Sequence, residues 1–268
     1  MEKRETLELL TKIEKWLEQH KKVLISYSGG VDSSLLAALA KRTKGVEFKC
    51  VMVVFPMISQ VDLCHAQAVA QEIGFAFETQ AVDFLNTQVA ENTPKRCYFC
   101  KRGIGKVLLD ITQRDGFACV VDGQNWDDRS EIRPGSAAAT ELGIISPFQE
   151  LQVTKKQIRE LSRFLGLSTA DAPSSPCLAT RVETGTPITA DRIKLVETAE
   201  MYLRGLGFQL FRVRLYRSRE EDCARIELCA QDWEKIYKDH SLLREIDVKM
   251  RALGFMRVSV DLSILVRN

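Results

Sequence analysis

The chain of 268 residues is 45% hydrophobic and 28% charged, near the averages of soluble globular proteins, and no apolar run reaches the roughly 20 residues that a membrane-crossing helix needs. A net charge of +2 is too small to announce a nucleic-acid binder, which concentrates basic residues on one face. Eight cysteines without a secretory leader argue against a disulfide framework and turn attention to metal or sulfur chemistry.

Residues 1–21 are helical in pattern, with Leu9, Leu10, Ile13, Trp16 and Leu17 at helical spacing. Their mixed charge differs from an export signal, so a cytoplasmic location without membrane attachment is expected. A β-branched apolar run at 22–27 predicts a strand that stops at a Gly pair and gives way to a helix at 33–40. The alternation continues with strand 48–55, helix 61–73, strand 75–82, helix 98–114 and strand 118–122. Such alternation predicts an α/β domain whose mainly parallel sheet is covered on both faces. One more helix is expected at 155–165, stopped by Gly166.

Composition then changes, with three prolines and several Ser and Thr between 168 and 189. The expected division is a nucleotide domain at 1–170, an inter-domain segment at 171–189 that carries Cys177, and a small α+β domain at 190–268. In that last part Tyr202-Leu203-Arg204-Gly205-Leu206-Gly207-Phe208 and Met250-Arg251-Ala252-Leu253-Gly254-Phe255 each read as a helix stopped by Gly and followed by a strand. Alternating Ala224, Ile226 and Leu228 mark another strand. The echo is too short to be read as a duplication.

Ser28, Gly29, Gly30, Val31, Asp32 and Ser33 connect the first strand to its helix. Unpaired backbone N–H groups and the positive helix end meet there, which suits an anion. The glycines let the backbone approach phosphate oxygens, Ser28 and Ser33 add hydroxyls, and Asp32 makes most sense as the partner of a phosphate-bridging magnesium ion. The Gly-x-x-x-x-Gly-Lys pattern of γ-phosphoryl transfer is missing. The segment resembles the PP-loop ATP pyrophosphatase superfamily, with its adenine nucleotide α-hydrolase-like fold. That resemblance implies that the loop holds the departing pyrophosphate while the substrate attacks the α-phosphorus of ATP to form an adenylate.

A second cluster, Asp122-Gly123-Gln124-Asn125-Trp126-Asp127-Asp128, leaves the carboxyl end of a strand, where open α/β sheets bind ligands. Gly123 is expected at the nucleotide. A polar turn with helix-capping Asn and Asp reads the same way.

Cys97 and Cys100 form a Cys-x-x-Cys near a helix start, where the dipole favours thiolate, and Cys177 lies in a proline-stiffened loop. Three thiolates are one short of a closed zinc site or of a fully ligated iron-sulfur cluster. On a four-iron four-sulfur cluster the open position would take an extra sulfide. Structural zinc with a fourth ligand, and a redox pair with Cys177 unrelated, also fit. Cys50, Cys64 and Cys119 read as core or incidental cysteines, and Cys223 and Cys229 carry no interpretable pattern.

Taken together the chain resembles the LarE family of pyridinium-3,5-biscarboxylic acid mononucleotide sulfurtransferases, which serve nickel-pincer cofactor biosynthesis. The resemblance runs through the 28–33 loop, Asn92-Thr93-Pro94, Asp122-Gly123, Arg133-Pro134-Gly135, the 177–181 segment, Ala199-Glu200, Gly207-Phe208, Arg212-Val213-Arg214 and Ala224-Arg225-Ile226-Glu227. It implies adenylylation of a substrate carboxylate and replacement of AMP by sulfur. Some members sacrifice a single cysteine; others carry three and assemble a cluster. Cys97, Cys100 and Cys177 match the second type, with Cys177 and Asp32 as the catalytic residues. Arg212 and Arg214 share a strand face and are expected to hold the phosphate of the nucleotide substrate or pyrophosphate, although a solvated strand face reads equally well. Glu200 meets a metal in the family, whereas a lone Glu on a helix face is more often simply solvated.

The expected partners are a small-molecule nucleotide and further copies of the chain, with the sulfide source open. The closest rival is iron-sulfur-dependent tRNA thiolation, against which stand the near-neutral charge and the lack of further Cys-x-x-Cys modules. An amide-forming PP-loop ligase leaves the cysteines without a task, and a nucleotide-sensing module leaves still more unexplained.

Overall fold

The computed structural model describes residues 3–129, 134–173 and 175–266. Arg133 of the Arg-Pro-Gly motif and Ser174 of the proline-stiffened loop lie outside the described residues. The chain is an α/β protein with two compact units. The first comprises Met1–Phe55, Gln60–Asp83 and Cys97–Ser175; the second comprises Pro56–Ser59, Phe84–Arg96 and Pro176–Asn268.

In the first unit α1 (Lys3–His20) precedes β1 (Lys22–Ser26), α2 (Val31–Arg42), β2 (Glu47–Val54), α3 (Gln60–Ile73) and β3 (Phe77–Ala81). Then come α4 (Arg96–Asp115, whose first residue belongs to the second unit), β4 (Cys119–Val121), α5 (Pro134–Glu141), α6 (Pro147–Glu150) and α7 (Lys155–Phe164). The strands form one parallel sheet in the order β3-β2-β1-β4. Central β1 is covered on both faces, so Val23, Leu24 and Ile25 are all fully buried, which is why the segment reads as an unbroken apolar run. Each such side chain contributes on the order of 1.5–3 kcal/mol of apolar burial. Helix α2 is buried along nearly its whole length, which fixes the loop that begins it. Among the described residues no helix is long and apolar enough to cross a membrane.

The second unit is smaller and its sheet is mixed. Helix α8 (Ala190–Gly205) leads into the hairpin β5 (Phe211–Ser218) and β6 (Glu221–Leu228), followed by α9 (Ala230–Lys238), α10 (Ser241–Leu253) and β7 (Val258–Ile264). Strand order is β5-β6-β7, with β5 antiparallel and β7 parallel to β6. Phe211, Val213 and Leu215 alternate inward with Ala224, Ile226 and Leu228 to make the core, leaving Arg212 and Arg214 on the other face. Gly254 ends α10 with φ +125°, the conformation its sequence position anticipates.

Candidate functional site

The loop between β1 and α2 is shaped by two close backbone approaches. Gly29 has φ +76°, and a Cβ there would stand 2.7 Å from the Cα and Cβ of Ala66. A Cβ on Gly123, just beyond β4, would stand 2.9 Å from Asp32 Cβ and from the Ser33 backbone nitrogen. Only glycine fits either place without displacing main chain. Ser33 Oγ receives the Ser28 N–H at 3.2 Å and lies 3.1 Å from Ser28 Oγ, so the two hydroxyls gather at the N-terminus of α2. The Gly30 N–H donates to Ser28 Oγ at 3.4 Å and Ser33 Oγ donates to the Gly30 carbonyl at 3.2 Å, so the loop is a cradle pre-shaped by its own bonds at a positive helix end.

Asp32 sits on the rim of this cradle. One oxygen accepts from Asn125 Nδ2 at 3.4 Å and the other pairs with Lys155 Nζ at 2.5 Å. Lys155 is the first residue of α7, whose start is locked by a capping box between Thr154 and Gln157, and its own N–H donates to Asp127 at 2.8 Å. Asn125 is engaged at both ends of its amide. Its Oδ1 caps the Asp127 N–H at 3.0 Å while its amide reaches Asp32.

Asp122 is 2% exposed and is held by Ser146 Oγ at 2.7 Å, Gln124 Nε2 at 2.8 Å and Lys101 Nζ at 3.2 Å. Burial pushes its carboxyl up, but Lys101, Gln124 and Ser146 together hold it below the ordinary carboxylate range. The first turn of α4 carries Cys97, exposed, and Cys100, half-buried; at i and i+3 both sulfurs lie on one helix face. Lys101 follows directly, so the helix that bears this pair is tied to the strand end beside the phosphate loop.

In the second unit Cys177 is half-buried and precedes a short 3₁₀ turn, Leu178–Arg181. Arg181 is 8% exposed and makes a two-pronged pair with Glu200 at 2.7 and 3.4 Å. Glu200, 9% exposed, also accepts the Val213 N–H at 3.1 Å, so it is neither solvated nor a bare ligand. Arg214 pairs with Glu227 at 2.9 Å and donates to the Thr180 carbonyl at 2.6 Å. The Arg212 side chain has no hydrogen bond or ion pair among the described residues, although the carboxylates of Glu227 and Glu200 lie near enough to favour its charge. Burial, then the guanidiniums of Arg214 and Arg181, lowers its pKa from the usual arginine value. A bound anion would relieve that strain on its charge. The structure therefore divides the two arginines: Arg214 is committed to protein partners and Arg212 is available.

Cys97 and Cys100 belong to the first unit and Cys177 to the second. Among the described residues no three or more His, Cys, Asp or Glu side chains are gathered in a group that could hold a metal ion.

A family of unknown function (DUF7411) matches residues 21–139. An uncharacterized protein of Synechocystis sp. is 39% identical, across 90% of this chain and 88% of its own length. The pyridinium-3,5-bisthiocarboxylic acid mononucleotide synthase of Lactiplantibacillus plantarum is 32% identical, across 92% of this chain and 87% of its own length. The chain belongs to the LarE family. A more distant likeness joins 54% of this LarE-family chain to 53% of the NH(3)-dependent NAD(+) synthetase of Chlorobaculum tepidum, at 30% identity, in keeping with a PP-loop fold.

Two site residues of this LarE-family chain escape a reading of the sequence. Lys155 stands 123 positions from Asp32, so no spacing links them. The one local clue is that Lys155 opens a helix, where the macrodipole disfavours a cation, and a broken local rule points to a use elsewhere. Lys101 hides in the same way, being one of several cations on α4.

Proposed function

We propose that this chain is an ATP-dependent sulfurtransferase that adenylylates a carboxylate of pyridinium-3,5-biscarboxylic acid mononucleotide and converts it to a thiocarboxylate for nickel-pincer cofactor biosynthesis. The observation that carries the reading is the 28–33 loop at the N-terminus of α2 with Lys155 resting on Asp32, a glycine-lined turn at a positive helix end with a flexible cation beside it. The likeness of nearly the whole chain to a protein named for making a bisthiocarboxylic acid mononucleotide supports the substrate.

A carboxylate oxygen of the substrate bonds to the α-phosphorus as the bond to the bridging oxygen breaks, and pyrophosphate takes that electron pair. The N–H groups of the loop and the hydroxyls of Ser28 and Ser33 hold the departing pyrophosphate. Asp32 would hold magnesium, a donor set suited to that ion because one carboxylate and the phosphate oxygens suffice with water. Lys155, released from Asp32, neutralises charge on the leaving phosphates. A sulfide then bonds to the acyl carbon and AMP departs with the carbon–oxygen pair. Arg212 holds the phosphate of the mononucleotide.

Cys97, Cys100 and Cys177 would hold a four-iron four-sulfur cluster, a thiolate donor set that suits such a group and that would supply the sulfide when the group is bound. This assignment stands on donor chemistry, with the pair on one face of α4 as its structural support. The reading includes a cytoplasmic homo-oligomer.

The test is an anaerobic incubation of the iron-loaded protein with ATP and the bis-carboxylated mononucleotide, following AMP and product by mass spectrometry. Thiocarboxylate and AMP should appear together, and Cys177 should keep its mass. AMP without thiocarboxylate, or iron retained when all three cysteines are replaced, would defeat the sulfur and cluster assignments respectively.

A further inference from the structure

Asn92 is fully buried and has φ +54°, a left-handed conformation that few residues other than glycine adopt. Its side chain is used to the full. The amide nitrogen donates to the carbonyls of Glu183 and Thr186, both at 2.8 Å, and of Val182 at 3.3 Å. The amide oxygen accepts from Arg96 Nη1, which also donates to the Ala179 carbonyl at 2.9 Å. The main chain joins in, since the Asn92 carbonyl accepts the Gly185 N–H at 2.9 Å. A strained residue persists where its surroundings over-determine it, and glycine would satisfy the backbone at Asn92 but none of the side-chain bonds.

All of these bonds converge on the segment that follows Cys177. The Pro176 carbonyl takes Arg181 Nη1 at 3.0 Å, and the Cys177 carbonyl takes the Thr180 N–H at 3.0 Å and hydroxyl at 2.8 Å. Ala179 takes Arg96, and Thr180 takes Arg214. The Leu178 N–H donates to the Met57 carbonyl at 2.8 Å. Three guanidiniums and one buried amide therefore grip the main chain around one half-buried thiol.

We propose that Asn92 and Arg96 are positioning residues that hold the Cys177 turn in the conformation its sulfur chemistry requires. The proposal rests on the reading of Cys177 as a sulfur-handling residue. Asn92 is specified as an amide because aspartate would face three carbonyl oxygens with a carboxylate. Arg96 bridges Asn92 and the turn through a single nitrogen, Nη1, so a lysine ammonium keeps part of the contact and a methionine keeps none.

The experiment labels the reduced full-length protein with N-ethylmaleimide and measures the rate at each cysteine by peptide mass spectrometry across pH. Exposed Cys64 serves as reference, and buried Cys223 and Cys229 report the integrity of the second unit. Arg96→Met and Asn92→Asp should raise the labelling rate of Cys177 relative to Cys64 by about tenfold, the factor a charged hydrogen bond is worth, and lower thiocarboxylate formation similarly. Arg96→Lys should recover part of both. If Asn92→Asp does not fold, Arg96→Met decides alone. A Cys177 rate and pH profile unchanged in folded Arg96→Met overturns the proposal, as does equal exposure of Cys223 and Cys229, which would mean that the clamp merely holds the unit together. Full sulfur transfer by Cys177→Ala would remove the functional reading while leaving the labelling comparison intact, so the two failures are told apart.

Discussion

Replacing Lys155 with methionine keeps most of the apolar stem and deletes the ammonium that rests on Asp32. The pair is partly solvated, with side-chain exposures of 35% and 23%. Its share of folding stability is therefore about 0–1 kcal/mol, and the unfolding midpoint should fall by no more than about 2–4 °C. On a phosphate oxygen inside the loop the same ammonium makes a charge-assisted bond worth about 1.5–3 kcal/mol, or roughly 10- to 150-fold in rate. Lys155→Met should therefore cut ATP–pyrophosphate exchange by one to two orders of magnitude in a protein that remains folded. Lys155→Arg should recover part of the loss. The assay is the initial rate of exchange at saturating mononucleotide, with thermal unfolding in parallel. An exchange rate within about twofold of wild type, less than ~0.5 kcal/mol, would refute the role of Lys155. So would a loss that merely tracks the unfolded fraction.

Gly123→Ala should lose about 1–3 kcal/mol of stability and bind ATP more weakly, because the new methyl would press on Asp32 Cβ and the Ser33 nitrogen at 2.9 Å with no flexible atom to yield; unfolding and ATP titration read both effects. Arg212→Ala should raise the KM for the mononucleotide roughly tenfold at unchanged stability, whereas Arg214→Ala should cost stability by leaving Glu227 only its longer pair with Arg225 and by removing the bond to the Thr180 carbonyl; the same profile in both would refute the division. Burial pushes the Tyr27 hydroxyl from 10.0 up to about 12. The folded state thus holds this proton more tightly, and the contribution, roughly 2 kcal/mol, is complete below pH 10 and lost as pH rises through about 12. Urea midpoints at pH 9 and pH 11 should differ less in Tyr27→Phe than in wild type.

The parallel sheet was legible because the physics that makes it is local. Val23, Leu24 and Ile25 must be apolar on both faces of a central strand, and Gly29 must turn where a Cβ has no room, so neighbouring letters carry the information. The β5–β6 hairpin was only half legible. Strand β5 runs on to Ser218, three residues past Leu215 where its apolar alternation ends, and turns through Arg219 and Glu220 at φ +50° and +70°. A two-residue turn of that handedness normally advertises itself with Asn-Gly or Asp-Gly. Neither is present, and the pairing of Arg217 with Asp222 and Ser218 with Glu221 becomes visible only when the strands are in register.

The same distinction runs through the site. Strand alternation puts Arg212 and Arg214 on one face and cannot tell them apart. Directly across the ladder Glu227 is opposite Arg212, so register alone would pair those two. Instead Glu227 takes the diagonal neighbour, Arg214, at 2.9 Å, while Thr180, from a segment 34 positions earlier in the chain, takes the other end of the same guanidinium. That second contact explains the choice, since an arginine fork held at two points loses less freedom per bond than one held at a single carboxylate. The Arg212 side chain is left partly buried, with no hydrogen bond or ion pair among the described residues, which is the condition under which an arginine is most useful to a phosphate. What singles out Arg212 for the phosphate-binding role proposed above is thus the distant main-chain turn that claims its neighbour, the turn that begins at Cys177.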